Sequence, residues 1–260
     1  MSPERIKYLK KIRKEKRLVI VFRLLIIFIF LLGWELLVRF KIINSFLTSS
    51  PTDIINTTYK LFTDGVLINH ISITLYEIII SFIISFSISF MIASIMYFIP
   101  IISKIIDPYL TILNSLPKVA LGPLIIIWAG AGVKSIIIMG LLISIFVTII
   151  NIYTTFINTD SKYIKLMNTF HSSNKDIFIK VIIPSNYNNI ISSLKINLSM
   201  NFIGVIMGEL LVSKKGLGFL ITYGSSVFHI NLVITSIVIL CIMSYLLYSL
   251  VEFLNKKNIH

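Results

Sequence analysis

The chain has 260 residues, of which 56% are hydrophobic and 13% charged, with a mean hydropathy of +0.93. A soluble domain carries about 25% charged residues, so water is excluded as the solvent for most of this polypeptide. A net charge of +13 would point to nucleic acid in a soluble protein; here eight Lys and Arg crowd into residues 1–17, before the first apolar run, and read as a membrane-orientation signal.

That basic tail comprises Arg5, Lys7, Lys10, Lys11, Arg13, Lys14, Lys16 and Arg17. The first span follows at residues 18–40. It is no cleaved signal, because Gly33, Trp34, Glu35 and Arg39 follow where a small-residue cleavage site would stand. Residues 41–70 form a polar outer stretch in which Ser49, Ser50, Pro51 and Thr52 mark the start of a short surface helix. Residues 71–255 then hold five further apolar runs, each long enough to cross about 30 Å of hydrocarbon as a helix. They are predicted at 71–98, 108–129, 135–156, 190–212 and 232–253, with Lys104 and Asp107 in a short inner loop between the first two. The runs are continuous and do not alternate, so helices are expected rather than a barrel. Six spans place both termini in the cytoplasm, as a multi-pass protein of the cell membrane. On that topology 17 of the 24 Lys and Arg fall inside and seven, Lys118 among them, outside. The single cysteine, Cys241, excludes an internal disulfide and a cysteine zinc site.

Three features bear on function. Ser81, Ser85, Ser89 and Ala93 recur every four residues, a small-residue face that lets another helix approach closely. The run at 108–129 contains Pro117 and Pro123, each removing a backbone donor. Interrupted backbone at membrane depth is tolerated where it is buried in protein or lines a wet path, which makes Asn114, Ser115, Pro117 and Lys118 pathway candidates, with a plain kink as the alternative. Asn197, Asn201, Gly204 and Gly208 share one face of the fifth span, facing a cavity or a neighbouring helix. Glu209 beside them is a pathway acid or an interfacial partner of Lys214 or Lys215. No phosphate-binding G-x-x-x-x-G-K-[ST] run occurs and the four histidines have no ligand spacing, so neither an enzyme nor a metal site is expected.

Several stretches, taken in order, resemble the permease subunits of ABC importers, in the branch serving sulfonates, taurine, nitrate and thiamine precursors. They are Ser50-Pro51, Asp107-Pro108, Leu116-Pro117-Lys118-Val119-Ala120-Leu121-Gly122-Pro123-Leu124, Trp128-Ala129-Gly130-Ala131-Gly132, Glu209-Leu210-Leu211 and Gly216-Leu217-Gly218. The resemblance implies an all-α fold of the type I importer kind with about six transmembrane helices. It also implies two ATPase subunits that carry ATP and Mg, a second permease copy, an extracytoplasmic substrate-binding protein, and no cofactor in this chain. The cytoplasmic loop, 158–184, would dock the ATPase through Tyr163, Lys165, Leu166, Met167, Thr169, Phe170, His171, Ser172 and Ser173, with Pro184 closing the motif. The family's E-A-A-x-x-x-G pattern is altered there: Lys165 replaces its Glu and His171 its Gly. The implied cargo is small, anionic or heteroaromatic. An ion-coupled secondary transporter is the rival reading, with Glu35, Glu77 and Glu209 as its only candidate acids. A lipid-modifying membrane enzyme would need clustered carboxylates or histidines that the sequence lacks.

Overall fold

The computed structural model describes residues 3–257, and those residues are helical with no strand. The order is α1 (Pro3–Arg39), α2 (Ser45–Thr48), α3 (Pro51–Thr63), α4 (Val66–Phe98) and α5 (Pro100–Ser115), then a 3₁₀ turn (Lys118–Leu121) and α6 (Gly122–Ala129). After these come α7 (Val133–Ile157), α8 (Ser161–Thr169), α9 (Asn174–Ile177), a π-helical turn (Phe178–Ile182), α10 (Ile183–Ser185), α11 (Tyr187–Val212), α12 (Leu217–Ser226) and α13 (Ile230–Lys257). Five helices, α1, α4, α7, α11 and α13, are long and apolar enough to cross a membrane. A sixth crossing is the bent pair of α5 with Lys118–Ala129, whose limbs meet at 85°.

The body is built around α7, which packs against both α4 and α11, with α13 on the other side of α11. Polar residues line that seam and leucine, isoleucine and valine pack beside it. By contrast α1 keeps its apolar side chains exposed, as in Phe22 at 60% and Phe28 at 63%. It is tied to the body near its end, where the Trp34 indole donates to the Ser49 carbonyl at 3.2 Å and Glu35 accepts from the Thr52 hydroxyl at 2.9 Å. Ser50 caps α3 by accepting from the Asp53 amide at 3.1 Å, and Pro51 sits in the first turn, where no donor is needed.

Cross-helix contacts sort the ends of the helices onto two faces. The end of α4, the start of α5, the end of α7 and the start of α11 come together through Phe98 against Phe178, Tyr153 donating to Ser103, and Asn186 donating to Thr159. Lys195, early in α11, pairs with Glu252 at 3.8 Å, which brings the end of α13 to the same side; call this the loop face. On the opposite, turn face, Ser72 of α4, Gly132 and Val133 beside α7, and Ser213 to Lys215 after α11 line one cavity. The bent pair therefore starts on the loop face and finishes on the turn face. It traverses the bundle as one span.

Three expectations need correcting. Lys104 and Asp107 do not form a loop: Ile99 alone separates α4 from α5, and both residues lie within α5, because Pro100 is well accommodated in a helix's first turn. The third span starts at Pro100 rather than near 108, and the interruption expected at its prolines is an 85° bend, with Leu116 in extended backbone at ψ of 144° before Pro117. Finally, Lys118 does not lie on the outer side. It reaches Ile143, eleventh of the 25 residues of α7, and so sits near mid-depth.

Candidate functional site

Around the break, the Lys118 ammonium donates to Asn114 Oδ1 at 2.9 Å and to the Ile143 carbonyl at 3.4 Å, and lies 5.7 Å from the centre of the Phe146 ring. Two of its three donors are used, and among the described residues the third has no hydrogen-bond partner. Ser115 turns its hydroxyl back onto the Thr111 carbonyl at 2.9 Å, while Leu116 and Pro117 are exposed at the elbow. The break thus sets one half-buried cation at mid-depth beside exposed, irregular backbone.

The α11 stripe is placed differently. Asn197 and Asn201 are fully buried, Asn197 donating to Ser85 at 2.9 Å and to Thr148 at 2.8 Å, Asn201 accepting from Ser81 at 2.7 Å. Ser85 and Ser144 share a bond of 2.6 Å between them. Gly204 lies on the backbone of Gly140, and Gly208 on Ile136. Of the two settings the spacing allows, cavity or neighbouring helix, the stripe takes the second. It is a polar ladder binding α4, α7 and α11, in which Asn197 Nδ2 and Asn201 Oδ1 are bonded across the helices while Asn197 Oδ1 and Asn201 Nδ2 have no partner among the described residues.

Glu209 is also buried. It accepts from the Thr74 hydroxyl at 2.6 Å and the Gly218 amide at 2.5 Å, and its carboxyl lies over Gly216, whose φ of +106° needs a glycine. It pairs with neither Lys214 nor Lys215: the ion pairs among the described residues are Lys180–Asp176 and Lys195–Glu252. The Glu209 contacts tie the turn after α11 to α4, as do the Leu217 amide donating to Thr74 at 2.8 Å and the Gly216 amide donating to His70 Nδ1 at 2.8 Å.

On the loop face, α8 begins at Asp160, which accepts from the Lys162 amide at 2.9 Å. Ile164 and Met167 turn inward onto a cluster with Phe156 and Phe178. Tyr163, Leu166 and Phe170 turn outward, 54%, 56% and 71% exposed, with Lys165 and Thr169 exposed as well. Ser172 donates its amide back to Met167, and Ser173 caps α9 through Asp176. Lys180 and the Ser173 hydroxyl hold the Asp176 carboxyl below the usual carboxylate range. Pro184 lacks the amide that would bond Lys180, and the ladder upstream widens so that Ile183 bonds Phe178 in a π turn. Asn186 reaches across to Thr159 at 2.6 Å and clasps the two ends of the loop together. That clasp, 27 residues apart in sequence, leaves no periodic signal by which the sequence could announce it.

His171 has φ of +52°, the left-handed conformation that the family's Gly adopts freely. Replacing His171 with Gly should therefore stabilise the chain or leave it unchanged, by up to about 1 kcal/mol after the entropy cost of Gly is subtracted. Thermal unfolding in detergent measures this; a clear loss of stability would mean that the imidazole itself holds the turn.

Comparison with known families now bears on these elements. The model of the family described as "binding-protein-dependent transport system inner membrane component" matches residues 85–260. The chain belongs to this family. As a member of the binding-protein-dependent permeases, it is 29% identical to an ABC transporter permease protein of Haemophilus influenzae, over 91% of this chain and 96% of that protein. A Bacillus subtilis permease named for aliphatic sulfonates is 25% identical over 86% of this chain and 81% of that one. A formylaminopyrimidine transport permease of Halalkalibacterium halodurans is 25% identical over 72% of this chain and 74% of its own length. The fold matches a chain of the inward-facing MetNI methionine ABC transporter, with a TM-score of 0.64 and 17% identity over 75% of this permease and 95% of that chain. The all-α, type I importer fold expected of this permease is therefore the one it has.

Proposed function

We propose that this permease moves a small anionic or heteroaromatic solute inward by alternating access, driven by two separate ATPase subunits that carry ATP and Mg. A second permease copy completes the pore and an extracytoplasmic binding protein delivers the solute. Both termini and the 158–184 loop face the cytoplasm. Tyr163, Leu166 and Phe170 enter the ATPase groove, and rocking of the helices opens the path alternately to each side. The observation that carries the reading is the bent span with Lys118 at mid-depth, one of its N–H groups unpartnered among the described residues, beside exposed backbone. Relatives named for sulfonate and formylaminopyrimidine transport support the choice of solute class. In this reading Asn114 holds the Lys118 ammonium in place, and Ser115 and Pro117 form the wall of the path. The α11 stripe from Asn197 to Glu209 supports that wall from behind.

Replacing Lys118 with Gln removes the charge and keeps most of the length. A charge-assisted bond contributes about 1.5–3 kcal/mol, so half-saturation for an anionic solute should rise roughly tenfold or more while uncharged analogues change little. Uptake into vesicles loaded with the ATPase reads this directly, and unchanged anion uptake removes Lys118 from the path. Uptake that continues after ATP is exhausted, with an ion gradient intact, would instead favour the secondary-transporter reading.

A further inference from the structure

One side of α13 carries a groove of about 460 Å³ against α11, with a mostly apolar floor: Phe202 comes from α11, and Leu240, Cys241, Tyr245 and Tyr248 come from α13. Positions 241, 245 and 248 repeat at helical spacing and so share one face of α13. The groove runs from the middle of the two spans toward the loop face, since Phe202 is the sixteenth of the 26 residues of α11 and Tyr248 stands in the last third of α13. Both helices are long and apolar enough to cross a membrane, so hydrocarbon surrounds the groove and an apolar floor holds no water there.

A cation stands at the loop-face end. Lys195 precedes Phe202 by two helical turns, which puts both on one face of α11. Its ammonium lies 4.8 Å from the centre of the Tyr248 ring, and Tyr248 is itself part of the groove wall. Glu252 Oε2 is 3.8 Å away, an ion pair beyond hydrogen-bonding distance, and the Lys195 side chain keeps 18% exposure. Among the described residues this ammonium donates no hydrogen bond, so its donors remain for a second anion. Tyr245 and Tyr248, both exposed, flank it as tyrosines do at the boundary between headgroups and hydrocarbon. An acyl chain suits the floor and a phosphate suits the mouth; neither water nor a soluble anion satisfies both.

We propose that the groove between α11 and α13 holds an anionic phospholipid of the loop-face leaflet, its phosphate on Lys195 and one acyl chain along Phe202, Leu240 and Tyr245. Charge complementarity selects the headgroup, and the groove admits the chain. The lipid thereby bridges two helices, and α11 is the one that follows directly from the Asn186 clasp, so a lipid fixed here steadies the span on which the loop is mounted. Under the proposed function the loop face is cytoplasmic, the side on which anionic lipid gathers. The site itself depends only on the packing of α11 and α13, and stands whichever solute the permease moves.

The test uses the full chain in nanodiscs of equal parts phosphatidylglycerol and phosphatidylcholine, one or the other carrying a light-activated diazirine midway along an acyl chain. Peptide mass spectrometry should find phosphatidylglycerol adducts on Phe202 and residues 240–245 about fivefold more often than phosphatidylcholine adducts, the preference that one lysine at a lipid surface confers. Lys195→Gln should bring the two lipids to parity. Lys180→Gln, which alters an exposed lysine of the same face paired with Asp176, should leave the preference intact. Equal labelling by the two lipids in the unaltered chain overturns the proposal without recourse to any variant. A preference that survives Lys195→Gln overturns it too, because the headgroup would then be read elsewhere. Cys241, the one cysteine of the chain and an exposed one, tests the other occupant. If a short bis-maleimide joins two chains through it and the groove takes no lipid adduct, a second copy covers this face and the proposal falls.

Discussion

Replacing Gly204 with Val should abolish most folded permease. A Cβ at this position would stand 2.6 Å from the Gly140 Cα and 2.8 Å from the Met139 carbonyl oxygen. Both are backbone atoms, so no side-chain rotation relieves the clash and α7 must move away from α11. Separation of those helices stretches the ladder that depends on it, from Asn201 with Ser81 to Asn197 with Thr148. Overpacking by one methyl already costs about 1–3 kcal/mol where neighbours can adjust. A branched side chain against two backbones costs more, a large share of the roughly 5–15 kcal/mol that holds a domain together. Gly33 is the internal control, with nothing within 4 Å of its own added Cβ, so Gly33→Ala should fold as the unaltered chain does. Monodisperse yield and thermal midpoint in detergent compare the two. A normal midpoint in Gly204→Val would show that α7 and α11 do not meet glycine to glycine.

That close crossing was half legible in the sequence. The spacing of Asn197, Asn201, Gly204 and Gly208 declares one helix face, and Ser81, Ser85, Ser89 and Ala93 declare another, because a period of 3.6 residues is a local property. Their common partner is not declared: Gly140, Ser144 and Thr148 sit on α7, and which face they meet depends on how three helices cross. For the same reason the two prolines revealed a break in the third span but not its 85° bend, nor that Lys118 would be drawn to mid-depth by the Ile143 carbonyl. Glu209 stands near two lysines in the sequence, yet the Thr74 hydroxyl that its carboxyl accepts from lies 135 positions earlier. Distance along the chain, not weakness of the contact, hid these pairs.

The loop face sets the second large effect. A nine-residue helix such as α8 has little stability of its own in water, so its position must be imposed. Ile164 and Met167 are held by Phe156 and Phe178, and the Thr159–Asn186 clasp closes the base. What remains outward is Tyr163, Leu166 and Phe170, apolar side chains displayed on a rigid support, an arrangement suited to entering a groove on a partner. Aromatic anchors of this kind commonly cost 2 kcal/mol or more when truncated. Phe170→Ala should therefore weaken capture of the ATPase subunit by about 30-fold and depress ATP-driven uptake in proportion. The chain's own thermal midpoint should barely move, because the ring is 71% exposed and holds nothing of its own fold. Lys165→Glu separates shape from charge. If the ATPase groove has changed along with this loop, restoring the family's acid should weaken binding to the native ATPase, although Lys165 too is exposed. Titration of the ATPase subunit against permease in nanodiscs measures both variants, and native affinity in Phe170→Ala would move the docking surface away from α8.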